Sequence, residues 1–164
     1  MFGKEKALVR EHLRFGSNDF EQEYPGWSAN PNPETEVSAF SGKTSCSLNG
    51  NSFSCAYEIP LDSLLTHGTD TSWLVRADCW AFSPKTCDAS LVISIEKDQK
   101  PISWKSVRIN DFMIDRQEWN YVTNFLQVSR TILETGSVKL KVYAWNIGDT
   151  GILVDDMRVM ISPY

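Results

Sequence analysis

Apolar and polar side chains change places at every second position over most of this chain. They do so in runs of about eight residues broken by turn residues. Trp73, Val75, Ala77 and Cys79 fall on one side of an extended segment, and Leu74, Arg76, Asp78 and Trp80 fall on the other. Leu91, Ile93 and Ile95 alternate with Val92, Ser94 and Glu96. Val138, Leu140, Val142 and Ala144 alternate with Lys139, Lys141, Tyr143 and Trp145. A last run covers 152–161, and shorter ones near 45–48, 53–59, 103–109 and 119–128 predict further strands. Turn signals stand between them: Asn49-Gly50, His67-Gly68, Ser83-Pro84, Lys97-Asp98, Thr135-Gly136 and Gly148-Asp149. Helical spacing is weak, with only the segment 4–15 and a short turn near 61–65 as candidates. Many strands without a βαβ rhythm predict an all-β sandwich or barrel. A one-residue slip would exchange a strand's two faces, so alternation this regular implies two sheets with buried inner faces.

The totals narrow this further. A chain of 164 residues, 41% hydrophobic and 23% charged, suits one globular domain with a sizeable core. A net charge of -5 argues against nucleic acid and anionic membrane as partners, because both need a basic face. No apolar run reaches the roughly 18 residues of a spanning helix, so membrane insertion is not expected. Lys4, Glu5, Lys6, Arg10, Glu11 and Arg14 interrupt the first apolar positions, so this segment does not read as a secretory signal. The chain is then either cytosolic or a piece of a longer exported one. The division that follows is a connector over 1–15 and a sandwich domain over 16–164.

Four cysteines leave alternatives open. If Gly50-Asn51 is the loop of a hairpin, Cys46 and Cys55 face each other and can bridge. If the loop is Asn49-Gly50, the commoner signal, Cys46 opposes Phe53 instead. Cys79 and Cys87 flank another short loop, and all four can equally be small buried thiols. With no CxxC and only His12 and His67, no zinc pattern is present. The stretch 24–36, with Pro25, Gly26, Pro31, Asn32 and Pro33, reads as a long surface loop, either functional or a plain crossover.

Several residues then line up with a known pattern. Asn18-Asp19-Phe20-Glu21 is followed by Gly26-Trp27 and by Phe40-Ser41-Gly42-Lys43-Thr44-Ser45. Trp119-Asn120-Tyr121-Val122, Lys141-Val142-Tyr143-Ala144-Trp145-Asn146 and Val154-Asp155-Asp156-Met157-Arg158-Val159 come later. The order resembles the galactose-binding-like jelly rolls, especially carbohydrate-binding modules of the cellulose- and xylan-binding kind, over residues 17–161. The acidic, proline-rich loop after Trp27 and the cysteines depart from that pattern. The resemblance implies an antiparallel jelly-roll β-sandwich that binds glycan without catalysis. It also implies a structural calcium tying the first strand to the last. The matching positions are Glu21, main-chain carbonyls near Asp19 and Lys43, and Asp155 or Asp156. Calcium takes six to eight oxygen ligands, and unshielded acids would repel. If Val154 is buried, strand alternation sends Asp155 and Asp156 to opposite sides, which favours Asp155; the alternative is that these acids are solvated or bound to loop amides.

Aromatic side chains make good platforms for the C–H faces of sugars, with polar groups reading the hydroxyls. If Val142 and Ala144 are in the core, Tyr143 and Trp145 stand outside, and by the same logic Arg76, Asp78 and Trp80 share an outer face. Neighbouring strands with such faces would make a groove, with Trp104 a further ligand candidate. Trp73 and Trp119 are expected in the core, and Trp27 as a loop contact or an end plug. The acids Glu58, Glu96, Asp111 and Glu118 are scattered, and no nucleophile elbow, P-loop or dinucleotide motif occurs, so an enzyme is not expected. The leading reading is a sugar-binding module of a larger bacterial envelope or secreted protein, with extracellular or periplasmic placement and neighbouring domains as partners. The competing one is a structural or protein-interaction domain on the same fold.

Overall fold

The computed structural model describes residues 14–32, 34–66 and 72–164, which form two antiparallel sheets face to face. The strands are β1 (Arg14–Asn18), β2 (Glu34–Thr35), β3 (Ser45–Leu48), β4 (Ser52–Phe53), β5 (Tyr57–Pro60), β6 (Trp73–Phe82), β7 (Ala89–Lys97), β8 (Lys100–Arg108), β9 (Asn120–Val128), β10 (Val138–Asn146) and β11 (Ile152–Pro163). Sheet A runs β2-β3-β11-β6-β9, with β1 also paired to β11. Sheet B runs β4-β10-β7-β8, with β5 also paired to β10. Among the described residues, helix is confined to two 3-10 turns, Asp62–Thr66 and Ile109–Phe112, and to α1 (Arg130–Leu133), capped by Ser129. This is the expected jelly-roll β-sandwich.

The alternation explains the core. Trp73, Val75, Ala77, Cys79 and Ala81 of β6 point inward and are fully buried, as are Leu91, Ile93 and Ile95 of β7 and Val138, Leu140, Val142 and Ala144 of β10. Because β6 contributes mainly small inward residues, the bulkier side chains of sheet B can interdigitate with it at interior density. The connector assigned to 1–15 overlaps the fold at its end, since β1 starts at Arg14 and pairs with β11. The rest of that segment, with His12, lies outside the described residues, as do Pro33 and His67.

Two local expectations are corrected. The turn at 49–51 does not close a hairpin. It carries the chain from β3 in sheet A to β4 in sheet B, so Cys46 and Cys55 are not ladder partners. The loop 83–88 likewise crosses from β6 to β7. All four thiols are buried and unpaired in the space between the sheets. Trp119 is the other case. Its ring sits on the outer side of sheet A, edge-on to Phe40 at 6.2 Å and tilted on Phe82 at 5.8 Å. It stands two positions before Tyr121 and shares that residue's outward face.

Candidate functional site

The outer face of sheet B is assembled by register. Trp145 pairs with Phe53 on one side and Ser90 on the other, and Tyr143 pairs with Val92. Lys141 lies between Glu58 and Ser94, and Ser94 pairs with Trp104. Lys139 lies between Pro60 and Glu96. Phe53 stacks on Trp145 with centroids 5.4 Å apart and planes at 9°, and meets Tyr143 edge-on at 5.7 Å. Asn51 Oδ1 accepts the Trp145 indole N–H at 3.2 Å, which fixes the ring's tilt. Lys141 Nζ lies 3.5 Å from Glu58 Oε1 and 5.9 Å from the Tyr143 centroid. The Lys141 charge is thereby balanced at the edge of the ring row. Trp104, 49% exposed, stands two strand spacings from Lys141, roughly 10 Å.

The loop 24–36 completes this surface. Its backbone runs along the sheet's edge: Ser28 N–H donates to Ala56 O at 2.8 Å and Glu58 N–H to Gly26 O at 2.8 Å. Ser28 Oγ accepts the Ala56 amide at 2.8 Å, and Asn32 Nδ2 donates to Phe53 O. The loop thus raises a lip of Ser28, Ala29 and Pro31 beside Phe53, Tyr143, Lys141 and Glu58, enclosing about 340 Å³. A second hollow of about 660 Å³ continues from Glu58 and Lys141 to Lys139, Glu96, Asp98 and Ser137. The two make one groove along β10. From Tyr143 to Lys139 it spans four residues of strand, roughly 14 Å, with Trp145 next along the strand beside Phe53. Trp27 is half-buried in the same loop. It tilts over Tyr57 at 5.3 Å and packs on the core, closing that end of the sandwich.

The six ligand candidates do not share one surface. Tyr143, Trp145 and Trp104 are on sheet B, while Arg76, Asp78 and Trp80 are on β6 in sheet A, on the opposite outside of the sandwich. The two strands are not neighbours, because β6 belongs to sheet A and β10 to sheet B. The β6 candidates are also largely occupied. Phe40 stacks on Trp80 at 4.0 Å and 11°, which removes one ring face from solvent. Asp78 is 1% exposed and accepts from Arg158 Nε at 2.7 Å, with Arg76 Nε at 3.5 Å. Arg76 donates to Tyr121 Oη at 2.6 Å. These side chains form a network that braces the outside of sheet A. Of the residues that matter on sheet B, sequence reasoning assigned no ligand role to Phe53, Asn51, Lys141 or the lip at Ser28–Pro31.

The acids named for calcium have other partners. Glu21 Oε1 accepts the Lys43 amide at 2.6 Å, the Thr44 amide at 2.7 Å and Thr44 Oγ1 at 3.0 Å. Those two backbone amides hold the Glu21 carboxyl below its ordinary range. The approach requires glycine at 42, where φ is +61° and a Cβ would lie 2.4 Å from Glu21 Oε1. Asp155 is fully buried. Its Oδ2 accepts the Phe40 amide at 2.8 Å and the Ser41 amide at 3.2 Å, and its Oδ1 accepts the Asp156 amide at 2.7 Å. Asp19 Oδ1 accepts from Glu21 N at 3.1 Å and from Tyr24 Oη at 2.5 Å. The N–H groups point their positive ends at the oxygens a cation would need. Among the described residues, no group of three or more His, Cys, Asp or Glu side chains gathers in a way that could hold a metal. Glu21 and Asp155 thus anchor this loop through its backbone amides. Strict strand alternation would send Asp155 and Asp156 to opposite sides. A bulge between Asp155 and Arg158, with φ +46° at Asp156, turns both acids toward this loop, and Asp156 Oδ1 accepts Ser41 Oγ at 2.7 Å.

Of the scattered acids, Glu58 and Glu96 line the groove, with Lys139 and Lys141 on the strand between them. Asp111 sits in the turn Ile109–Phe112, and Glu118 in the loop before β9, away from both.

The two antiparallel sheets make a jelly-roll sandwich with an open, ring-lined groove on one outer face. The chain is similar in fold to solved carbohydrate-binding modules. The CBM22-1 xylan-binding domain of Paenibacillus barcinonensis Xyn10C shares 16% identity at TM-score 0.50, with 94% of this chain and 95% of that one covered. A CBM35 from Cellvibrio japonicus Abf62 shares 10% identity at TM-score 0.57, covering 89% and 92%. The CBM22-1–CBM22-2 tandem of the Paenibacillus protein shares 15% at TM-score 0.50, with 94% of this chain on 46% of that one. No protein-family profile and no curated protein sequence matches the chain.

Proposed function

We propose that the protein is a non-catalytic glycan-binding module and that the groove along β10 holds an extended, neutral polysaccharide segment. The observation that carries this is the row of Phe53, Trp145 and Tyr143 standing beside a wall of paired charges and a polar lip. Rings held in place by cross-strand stacking lose little entropy when a sugar settles on them, and so act as a preformed platform. Lys139 and Lys141 offset two of the three carboxylates that line the groove, Glu58, Glu96 and Asp98, so it offers hydrogen bonds with a small negative excess that disfavours an acidic sugar. Xylan binding by one of the similar structures supports the ligand class. Membership in a longer secreted or envelope protein, beside further domains, is consistent with the tandem arrangement of another.

Calorimetric titration with xylan and β-glucan oligosaccharides tests the reading. Tyr143→Ala and Trp145→Ala are each expected to weaken binding by about tenfold, roughly 1.4 kcal/mol. Trp80→Ala, on the opposite face, should leave affinity unchanged. Absence of binding to any glycan, or binding indifferent to both groove substitutions, would refute it. A second reading has its own observation: Phe15, Met160, Arg76 and Phe125 are cross-strand neighbours on the outside of sheet A, with both phenylalanines more than half exposed. That row suits contact with an adjoining domain.

A further inference from the structure

Strained backbone gathers at the charged end of the groove. Among the described residues, five positions other than glycine have positive φ, and three of them line the hollow of about 660 Å³: Asp98 at +51°, Gln99 at +62° and Ser137 at +54°. Lys97 pairs with Lys100, so Asp98 and Gln99 are the whole turn between β7 and β8. A two-residue turn with both φ values positive favours Asn-Gly or Asp-Gly, because glycine enters that region without a steric penalty. Glutamine at 99 is therefore held there at a cost in stability. Such strain persists only where the surroundings over-determine it, and it concentrates at ligand clamps. The bracing is present: Lys97 Nζ donates to Thr135 O, tying this turn to the one before β10, and Asp62 Oδ1 accepts the Ser137 amide at 2.9 Å. Every side chain that lines the hollow is polar or charged. Asp98 and Gln99 are exposed and make no side-chain hydrogen bond or ion pair among the described residues, so nothing else in the fold occupies their polar ends. Carboxylates accept, Lys139 donates, and Gln99 and Ser137 do both. This wall rewards hydroxyls, while the rings of the adjoining hollow of about 340 Å³ supply the stacking surface. The polar hollow is the larger of the two and has room for an arm projecting from a sugar chain as well as for the chain itself.

We infer that the Asp98–Gln99 turn and Ser137 form a subsite for the hydroxymethyl arm of a hexose, so that the groove selects a β-1,4-linked hexose chain over a pentose chain. Each hexopyranosyl unit carries this arm and a xylosyl unit lacks it. The arm's hydroxyl donates to a carboxylate and accepts from an amide or an ammonium, which matches the wall. The inference rests on the groove reading given above and adds which sugar the groove prefers.

Calorimetric titration with cellohexaose and xylohexaose tests this. The wild type is expected to bind cellohexaose about tenfold more tightly, as one or two added hydrogen bonds would give. Gln99→Gly installs the favoured Asp-Gly turn. Its Tm should rise by about 3 °C, while the ratio of the two affinities should fall to about twofold. Ser137→Gly should act in the same direction on both measures. Gln99→Asn, at ease in the left-handed region yet still carrying an amide, should hold the ratio above that of Gln99→Gly. A strained turn with no ligand role would gain the same stability with the ratio unchanged, and that result would overturn the inference. Equal affinity for the two hexaoses in the wild type, or a preference for xylohexaose, would overturn it as well. Binding that depends on Tyr143 and Trp145 but shows no hexose preference removes the subsite and leaves the groove. Binding of neither hexaose removes both.

Discussion

Asp155 offers the sharpest check on how the outer loop is held, because two physical effects act on it in opposite directions. Three backbone amides, those of Phe40, Ser41 and Asp156, point at its carboxylate and favour the charged form. Its complete burial disfavours that form. Burial is the larger effect and pushes the carboxyl up from 3.8 to about 6, against the amide bonds. At 1.36 kcal/mol per pH unit, the charged form is disfavoured by roughly 3 kcal/mol relative to the unfolded chain. A folded state that holds its proton more tightly than the unfolded state gains stability in acid. This contribution is fully present below about pH 3.8 and is lost as pH rises through about 6. Asp155→Ala also leaves the three amides without an acceptor, at about 1–3 kcal/mol each where they stay dry. The substitution should therefore destabilise throughout, and its cost should be about 2 kcal/mol larger near pH 4.5 than near pH 7.5. Urea unfolding of wild type and variant at both pH values measures the difference directly, since other groups' titrations cancel. The fluorescence of Trp80, stacked under Phe40, reports in the same samples whether the loop has lifted. A cost equal at the two pH values, or smaller in acid, would show that the amide bonds outweigh burial.

Two further outcomes are expected. Millimolar calcium, compared with a chelator, should leave the thermal midpoint unchanged, because backbone amides already bond Glu21 Oε1 and both oxygens of Asp155; a midpoint that rises with calcium would mean that a cage forms there. The thiols of Cys46 and Cys55, both pushed up to about 12 by burial, should resist alkylation at pH 8 until the protein is unfolded; rapid labelling of the native protein would contradict their burial.

Strand faces were legible because period-two alternation is a local property. Val142 and Ala144 point inward, Tyr143 and Trp145 outward, and any reader of that segment can place them. What alternation does not carry is which strand comes next in space. Asn49-Gly50 and Ser83-Pro84 serve a hairpin and an inter-sheet crossing equally well, since both need a tight reversal with polar residues. The choice between them rests on where the flanking faces are buried. That ambiguity is why Trp80 and Trp145 could be imagined side by side although they lie on opposite sides of the molecule. Phe53 escaped notice for a related reason. Its position beside Trp145 depends on pairing between β4 and β10, whose register unites residues 53 and 145. The Asp155 bulge is a break in period, visible only once β6 supplies one residue fewer than β11.

The ladder between β1 and β11 sets how the domain would respond to tension. Arg14 lies opposite Ile161, so the points where the chain enters and leaves the described fold are adjacent, at one corner of sheet A. A pull applied there loads the pairs in sequence, starting with Arg14–Ile161 and ending with Asn18–Met157, as a zipper opens. It does not shear them all together. Strain transmitted along a tethering polypeptide would thus peel β1 first, while the groove on the far sheet, built without β1, keeps its rings in line.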